Sequence, residues 1–170
     1  MQTIYLKRLK RKFQANKKTL RSFITRTDNN PPKEFDKIVA ETEKEVWEEV
    51  NCLHCANCCK KMSPTYTPKD IKRISEHLGM TPKNFKEKWL YKEEKTGDWL
   101  NESQPCQFLV LKTNMCGIYK VRPADCADFP HFNRHPQKDY FYINKQNIEY
   151  CPASMLLIEK LKDSLKSDSR

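Results

Sequence analysis

The segment Cys52-Leu-His-Cys55-Ala-Asn-Cys58-Cys59 contains four of the eight cysteines of this 170-residue chain. The other four follow one at a time, as Cys106, Cys116, Cys126 and Cys151. Thiolates are soft, strongly donating ligands, and two of them separated by two residues can bind the same metal ion. The segment therefore predicts a metal site, and all eight cysteines are candidate ligands.

The even number of cysteines also permits disulfide bonds. A chain of 170 residues can bury a core without such bonds. Its start, Met1-Gln-Thr-Ile-Tyr-Leu-Lys-Arg, lacks the apolar core of a secretion signal, and no apolar run is long enough to cross a bilayer. We therefore expect a cytoplasmic protein with reduced thiols, in which metal binding or redox chemistry is favoured over structural disulfides.

Positive charge is concentrated at the start of the chain. Residues 1–27 hold nine Lys and Arg and no acid, whereas the rest is nearly neutral, with 23 basic and 22 acidic residues. A basic amphipathic helix in 1–30, ahead of a cysteine-cluster domain in 31–170, is predicted by the apolar spacing of Leu6, Leu9, Phe13, Leu20 and Phe23. This helix could contact nucleic acid or an acidic membrane surface. We favour a helix that packs on the domain while its cations are solvated.

The rest of the chain predicts an α+β fold that is mainly helical. A helix is expected over about 33–50, followed by a loop that carries the four clustered cysteines, and two more helices begin at Thr67-Pro68 and Thr81-Pro82. Residues 107–111 and 115–119 predict a β-hairpin, 140–143 another strand, and 152–166 a last amphipathic helix. We expect the short hairpin and the cysteine-rich metal-binding loops to be surrounded by amphipathic helices.

The spacing of the cysteines fits two kinds of metal centre. Cysteines at intervals of three, completed by a distant Cys-Pro pair such as Cys151-Pro152, bind [4Fe-4S] clusters in ferredoxins. Tetrahedral zinc sites with four cysteines use similar arms. Because adjacent side chains diverge, we expect Cys58 and Cys59 to face different sites, or one sulfur to bridge two ions. The simplest grouping places Cys52, Cys55, Cys58 and Cys151 around one centre and Cys59, Cys106, Cys116 and Cys126 around another.

Other side chains near the cysteines are weaker candidates. His54, His131 and His135 could bind a metal, although a surface histidine without that role is the commoner outcome. Arg122 and the Lys60-Lys61 pair are candidates for offsetting the negative charge of bound thiolates. Simple solvation of the two lysines is an equally good explanation for them.

The order of these motifs resembles that of a known family. Residues 50–155 carry Cys52-x-x-Cys55-x-x-Cys58-Cys59, Cys106-Gln-Phe-Leu, Cys116-Gly-Ile-Tyr, Arg122-Pro-x-x-Cys126 and Cys151 in succession. This pattern resembles the YkgJ-type cysteine-cluster (CxxCxxCC) family of zinc- or iron-chelating proteins, which implies metal binding as the activity. Members of that family often carry glycine after the second cysteine, where this chain has Ala56, and alanine resists a positive φ.

Three functional hypotheses follow. The first is a metal-binding protein in which zinc or iron ties the cysteine segments together. The second is an iron–sulfur-dependent enzyme for redox chemistry or methyl transfer, distantly similar to the flagellin lysine N-methylase of the same superfamily. The third is a nucleic-acid-associated metalloprotein that uses the basic N-terminal helix. The sequence identifies no catalytic residue and no glycine-rich nucleotide loop, and it leaves enzyme activity and oligomeric state open.

Overall fold

The computed structural model describes residues 2–132 and 134–167. The elements in chain order are α1 (Gln2–Asn29), α2 (Phe35–Glu49), α3 (Cys52–Cys55), α4 (Asn57–Lys61), α5 (Pro68–His77), α6 (Pro82–Trp89), β1 (Leu90–Lys92), β2 (Trp99–Asn101), β3 (Leu109–Val110), β4 (Met115–Cys116), α7 (Ala124–Asp128), α8 (Asn144–Tyr150) and α9 (Pro152–Ser167). Short 3₁₀ turns span Tyr119–Val121, Gln137–Asp139 and Phe141–Ile143. The fold is mainly helical α+β, as predicted. No helix within the described ranges is both long enough and apolar enough to cross a membrane.

The chain forms two units, which we call unit 1 (residues 1–52 and 130–170) and unit 2 (residues 53–129). In unit 1, helices α1, α2 and α8 pack against α9. The amphipathic helix predicted over 152–166 is confirmed, because Met155, Ile158 and Leu161 lie along one side of α9 and are fully buried. Phe35 and Phe141 meet edge to face in the same unit, with ring centroids 4.9 Å apart. Unit 1 therefore has a hydrophobic core of its own.

Helix α1 lies with its apolar side on the other helices of unit 1. Phe13, Leu20 and Phe23 are buried as predicted, while the side chains of Leu6 and Leu9 lie outside the described residues. Cations beside this stripe reach acids of α8 and α9: Lys12 Nζ lies 2.6 Å from Glu159 Oε2, and Arg21 Nη1 lies 2.7 Å from Glu149 Oε1. The packed helix that we favoured from the sequence is the observed arrangement.

Unit 2 is built around an aromatic core. Strand β1 pairs antiparallel with β2, and β3 pairs antiparallel with β4, which places Leu109 opposite Cys116. Helices α5 and α6 both begin at a Thr-Pro pair whose threonine side chain caps the first turn, as predicted. The buried cluster consists of Tyr66, Ile71, Ile74, Phe85, Leu90 and Ile118. Phe108, Cys116 and Val121 pack against this cluster, so the core supports the chain on either side of Cys116.

Three sequence-based expectations about secondary structure need correction. The strand predicted over 140–143 is wrong, because a 3₁₀ turn at Phe141–Ile143 occupies this stretch, where Ile143 N donates to Tyr140 O over 3.1 Å. Helix α8 follows directly at Asn144. Local backbone bonds thus replace the ladder that a strand would need. The loop predicted for the clustered cysteines is instead two short helical turns, α3 and α4. The β1–β2 hairpin was not predicted, because its strands are only three residues long.

Candidate metal centre

The clustered cysteines lie on two helical turns joined by one residue in an unusual backbone conformation. Ala56 separates α3 from α4 and has φ 49° and ψ 22°, in the left-handed region that favours glycine. Its side chain is nevertheless buried. Alanine therefore takes a positive φ here, although its Cβ disfavours that conformation. Ala56 precedes α4 directly, and its carbonyl oxygen accepts a hydrogen bond of 3.2 Å from Lys60 N in the first turn of that helix.

The sulfurs of Cys58 and Cys59 lie close together. Their separation is 3.9 Å, so the two adjacent side chains do not diverge as expected from the sequence. Tetrahedral zinc with Zn–S bonds of about 2.3 Å places its sulfurs roughly 3.8 Å apart, which is the same spacing. The hydrogen bond from Cys58 lowers the pKa of Cys59, against the opposing effect of burial and with help from the charge of Lys60. Two sulfurs at this distance can share a cation.

Cys59 is the common neighbour of three later cysteines in unit 2. Its carbonyl oxygen accepts a hydrogen bond of 2.8 Å from the backbone N–H of Cys106. Its negative charge raises the pKa of Cys106, Cys116 and Cys126, in each case added to the larger effect of burial. Cys116 lies on β4, and Cys126 lies on α7. Separate elements of unit 2 therefore bring these four thiols within electrostatic reach of one another.

The thiols of this group are neighbours without forming a closed ligand sphere. None of the eight cysteines, all within the described ranges, forms a disulfide bond. Among the described residues, no three His, Cys, Asp or Glu side chains come together closely enough to hold a metal ion. The donor chemistry nevertheless fits zinc or iron, because thiolates are the ligands of structural zinc and of iron–sulfur centres.

Two cations act on these thiols in the direction predicted from the sequence. The charge of Lys60 favours the thiolates of Cys59 and Cys55, and that of Arg122 favours the thiolate of Cys116, against the larger effect of burial in Cys55 and Cys116. Lys60 Nζ is held by Asn114 Oδ1 at 2.6 Å. Arg122 is held by its hydrogen bond of 2.9 Å to Tyr119 O, and its guanidinium lies 4.0 Å from the centre of the Tyr119 ring. Both charges are thus fixed in place.

The other predicted ligands lie at several places. In unit 1, Cys151 directly precedes α9, where burial raises its pKa to about 11 while N–H groups of Ser154 and Ala153 favour its thiolate. Cys52, which is exposed, lies within electrostatic reach of Cys151. His135 Nδ1 lies 3.5 Å from Asp36 Oδ2 in the same unit. The side chain of His54 lies outside the described residues.

A buried polar group beside the cysteines was missed by sequence reasoning. Tyr66 is 2 % exposed, and burial raises its pKa, as do the neighbouring thiols of Cys106, Cys126 and Cys116. Its hydroxyl donates to Asn101 Oδ1 over 2.6 Å. These two residues are far apart in the sequence and meet because Tyr66 pairs with Trp99, the first residue of β2, whose last residue is Asn101. No spacing pattern in the sequence points to such a contact.

Comparison with known proteins assigns the chain to a protein family. The model of the CxxCxxCC family, described as "putative zinc- or iron-chelating domain", matches residues 51–152, and the chain belongs to that family. An uncharacterized protein of Methanocaldococcus jannaschii is 32% identical over 82 residues, which are 48% of this chain and 44% of that protein. The chain thus spans less than half the length of this relative. No solved structure matches the chain.

Proposed function

We propose that this protein binds zinc or iron through a thiolate centre in unit 2, formed by Cys59, Cys106, Cys116 and Cys126. The proposal rests mainly on one observation: the N–H of Cys106 donates to the carbonyl oxygen of Cys59 over 2.8 Å, which joins two separate stretches of chain that carry cysteines. The charge of Cys59 also acts on Cys106, Cys116 and Cys126. Burial without a cation disfavours the charged thiolates, whereas a bound cation would reverse that preference. Family membership supports zinc or iron as the metal.

The protein's own residues would prepare the site in two ways. Lys60 and Arg122 offset part of the thiolate charge, and both are held by hydrogen bonds to their surroundings. The Cys106 N–H bond to Cys59 O keeps the start of the second cysteine segment against α4. When bound, the metal would supply the positive charge that holds several buried thiolates together. Binding would add to the stability of unit 2, which also has an aromatic core of its own.

The remaining cysteines, Cys52, Cys55, Cys58 and Cys151, form the other group predicted from the sequence. That grouping stays a prediction, and the 3.9 Å separation of the Cys58 and Cys59 sulfurs also supports the alternative in which one sulfur bridges two ions. A [4Fe-4S] cluster, mononuclear zinc and mononuclear iron all use thiolates, so these cysteines are compatible with each of the three.

Anaerobic purification followed by elemental analysis and an optical spectrum tests the proposal. We expect stoichiometric zinc or iron, with visible thiolate-to-iron absorption only if iron is bound. Cys116→Ser should lose one metal site, whereas Met115→Ser, at the exposed preceding position on β4, should retain it. Wild-type protein that binds neither metal, or a Cys116→Ser variant that keeps full metal content and affinity, would contradict the proposed centre.

A further inference from the structure

A buried amide beside Cys106 has an orientation that its neighbours dictate. Asn101 is 4 % exposed, at the end of β2. Its Oδ1 accepts one hydrogen bond of 2.6 Å from the Tyr66 hydroxyl and a second of 3.1 Å from Gln107 Nε2. Its backbone N–H donates to Ser63 Oγ over 2.7 Å, which holds the residue in place. Because two donors converge on the oxygen, the NH₂ group must point elsewhere.

The NH₂ group of Asn101 has only a weak acceptor nearby. Nδ2 is buried and has no conventional hydrogen-bond partner among the residues that the structure describes. The same amide lies beside the Cys106 sulfur. Gln107, which donates to the Asn101 oxygen, directly follows Cys106 in the chain. A thiol sulfur is a weak acceptor, whereas an ionised sulfur is a strong one. A buried donor left without an acceptor is costly, so its presence here needs an explanation.

We propose that Asn101, oriented by Tyr66 and Gln107, is a positioning residue that donates a hydrogen bond to the Cys106 sulfur when that sulfur binds a metal. This inference rests on the proposed function and extends it to the residues behind the ligands. Hydrogen bonds to ligand atoms orient them and tune the metal, and their loss typically weakens metal binding about 10–100-fold. The bond also draws electron density from the sulfur, so its removal should move the thiolate-to-metal charge-transfer band to longer wavelength.

The alternative is that the three polar side chains only tie strands and loops together. That role would change stability when a residue is removed, but it would leave the colour of a bound metal unchanged. The position of the band therefore distinguishes the two roles, because only a donor to the Cys106 sulfur would change it.

Cobalt(II), added to the full-length protein after metal removal under anaerobic conditions, is the probe for this role. We compare the wild type with Asn101→Leu, which keeps the approximate shape and removes the donor, and with Tyr66→Phe, which removes the hydroxyl that orients the amide. Asn144→Leu is the matched control, because Asn144 is also 4 % exposed and lies in unit 1. The readouts are the position of the sulfur-to-cobalt band and the affinity from chelator competition.

We expect Asn101→Leu to shift the band to longer wavelength and to weaken cobalt binding about tenfold. Tyr66→Phe should shift it in the same direction by less, and Asn144→Leu should leave it in place. Should Asn101→Leu fail to fold, Tyr66→Phe decides, because it retains the aromatic ring. A wild type with a sulfur-to-cobalt band that neither variant alters would overturn the role of Asn101 and leave the proposed function standing. A wild type without such a band would overturn both.

Discussion

Replacing Asp70 with asparagine should destabilise unit 2 strongly, although the two side chains have the same shape. The Asp70 carboxylate is 1 % exposed and accepts four hydrogen bonds. Oδ2 accepts from the N–H and the hydroxyl of Thr67 at 3.0 and 2.6 Å, and Oδ1 accepts from Arg73 Nη2 at 2.6 Å and Ala124 N at 3.1 Å. These bonds close the first turn of α5 and join it to the start of α7.

The magnitude follows from counting donors. Asparagine retains one oxygen, and its NH₂ group fits best toward Thr67, where the hydroxyl can turn to accept but the Thr67 N–H is left without an acceptor. One buried group left unsatisfied costs about 1–3 kcal/mol, and loss of the negative charge weakens the bond from Arg73 by a similar amount, which gives about 4 kcal/mol in total. The chain contains its own control: α5 begins Thr67-Pro-Lys-Asp70, and α6 begins Thr81-Pro-Lys-Asn84. At the exposed Asn84, the reverse change Asn84→Asp should stabilise by less than about 1 kcal/mol.

Urea unfolding followed by tryptophan fluorescence measures the effect in a Trp47→Phe background. The remaining tryptophans, Trp89 and Trp99, both pack on the core of unit 2. A loss of about 4 kcal/mol should lower the urea midpoint by roughly 2 M, at an m-value of about 2 kcal/mol/M. A loss below about 1 kcal/mol would refute the assignment of four hydrogen bonds to a buried carboxylate.

The same variant carries a prediction about pH. Burial raises the pKa of Asp70, but the hydrogen bonds from Thr67, Arg73 and Ala124 outweigh burial and lower it overall. Its ionised form therefore contributes stability that is complete above the unfolded-state pKa, about 3.9, and is lost as the pH falls through the lower folded-state pKa. The stability difference between wild type and Asp70→Asn should shrink below about pH 4. A difference that stays constant into the acid range would contradict the pKa direction.

Three further predictions test other parts of the fold by urea unfolding. Ala56→Gly should change stability by less than about 0.5 kcal/mol, because relief of left-handed strain offsets the lost methyl and the added chain entropy. Ala127→Gly, in helix α7, should cost about 1 kcal/mol, and equal losses would contradict the φ of Ala56. Phe85→Ala should cost about 3–5 kcal/mol, because the ring is fully buried against other aromatic rings, and a loss below about 1 kcal/mol would show that the cluster is loose. Glu149→Gln removes the partner of two cations on α1, so we expect a loss of at most about 1 kcal/mol that disappears in concentrated salt; a loss that persists there would point to packing instead.

The sequence was most informative where structure depends on local chemistry. The Thr-Pro openings located α5 and α6, and the three-four spacing after Pro152 located α9. Short pairings were harder to predict, because the strands of β1–β2 carry no long alternation and residues 141–143 bond to their immediate neighbours. Which sulfurs become neighbours is a non-local property. The spacing suggested a group around Cys59, but only the folded chain brings the Cys59 carbonyl to the N–H of Cys106.

The distribution of charge gives a physical reason for where a thiolate centre would be tolerated. The segments 51–69 and 103–124 carry six of the eight cysteines, together with six Lys and Arg, and contain no Asp or Glu. Four thiolates around a divalent cation leave a net charge of about −2, which an acid-free and cationic environment helps to stabilise. The first acid after the second segment, Asp125, raises the pKa of the adjacent Cys126, after the larger effect of burial. Its Oδ2 accepts from Thr65 N at 3.1 Å, which engages this charge with a backbone donor. A backbone donor thus stabilises the carboxylate of Asp125, and the charges of Lys60 and Arg122 favour the ionised sulfurs that metal binding requires.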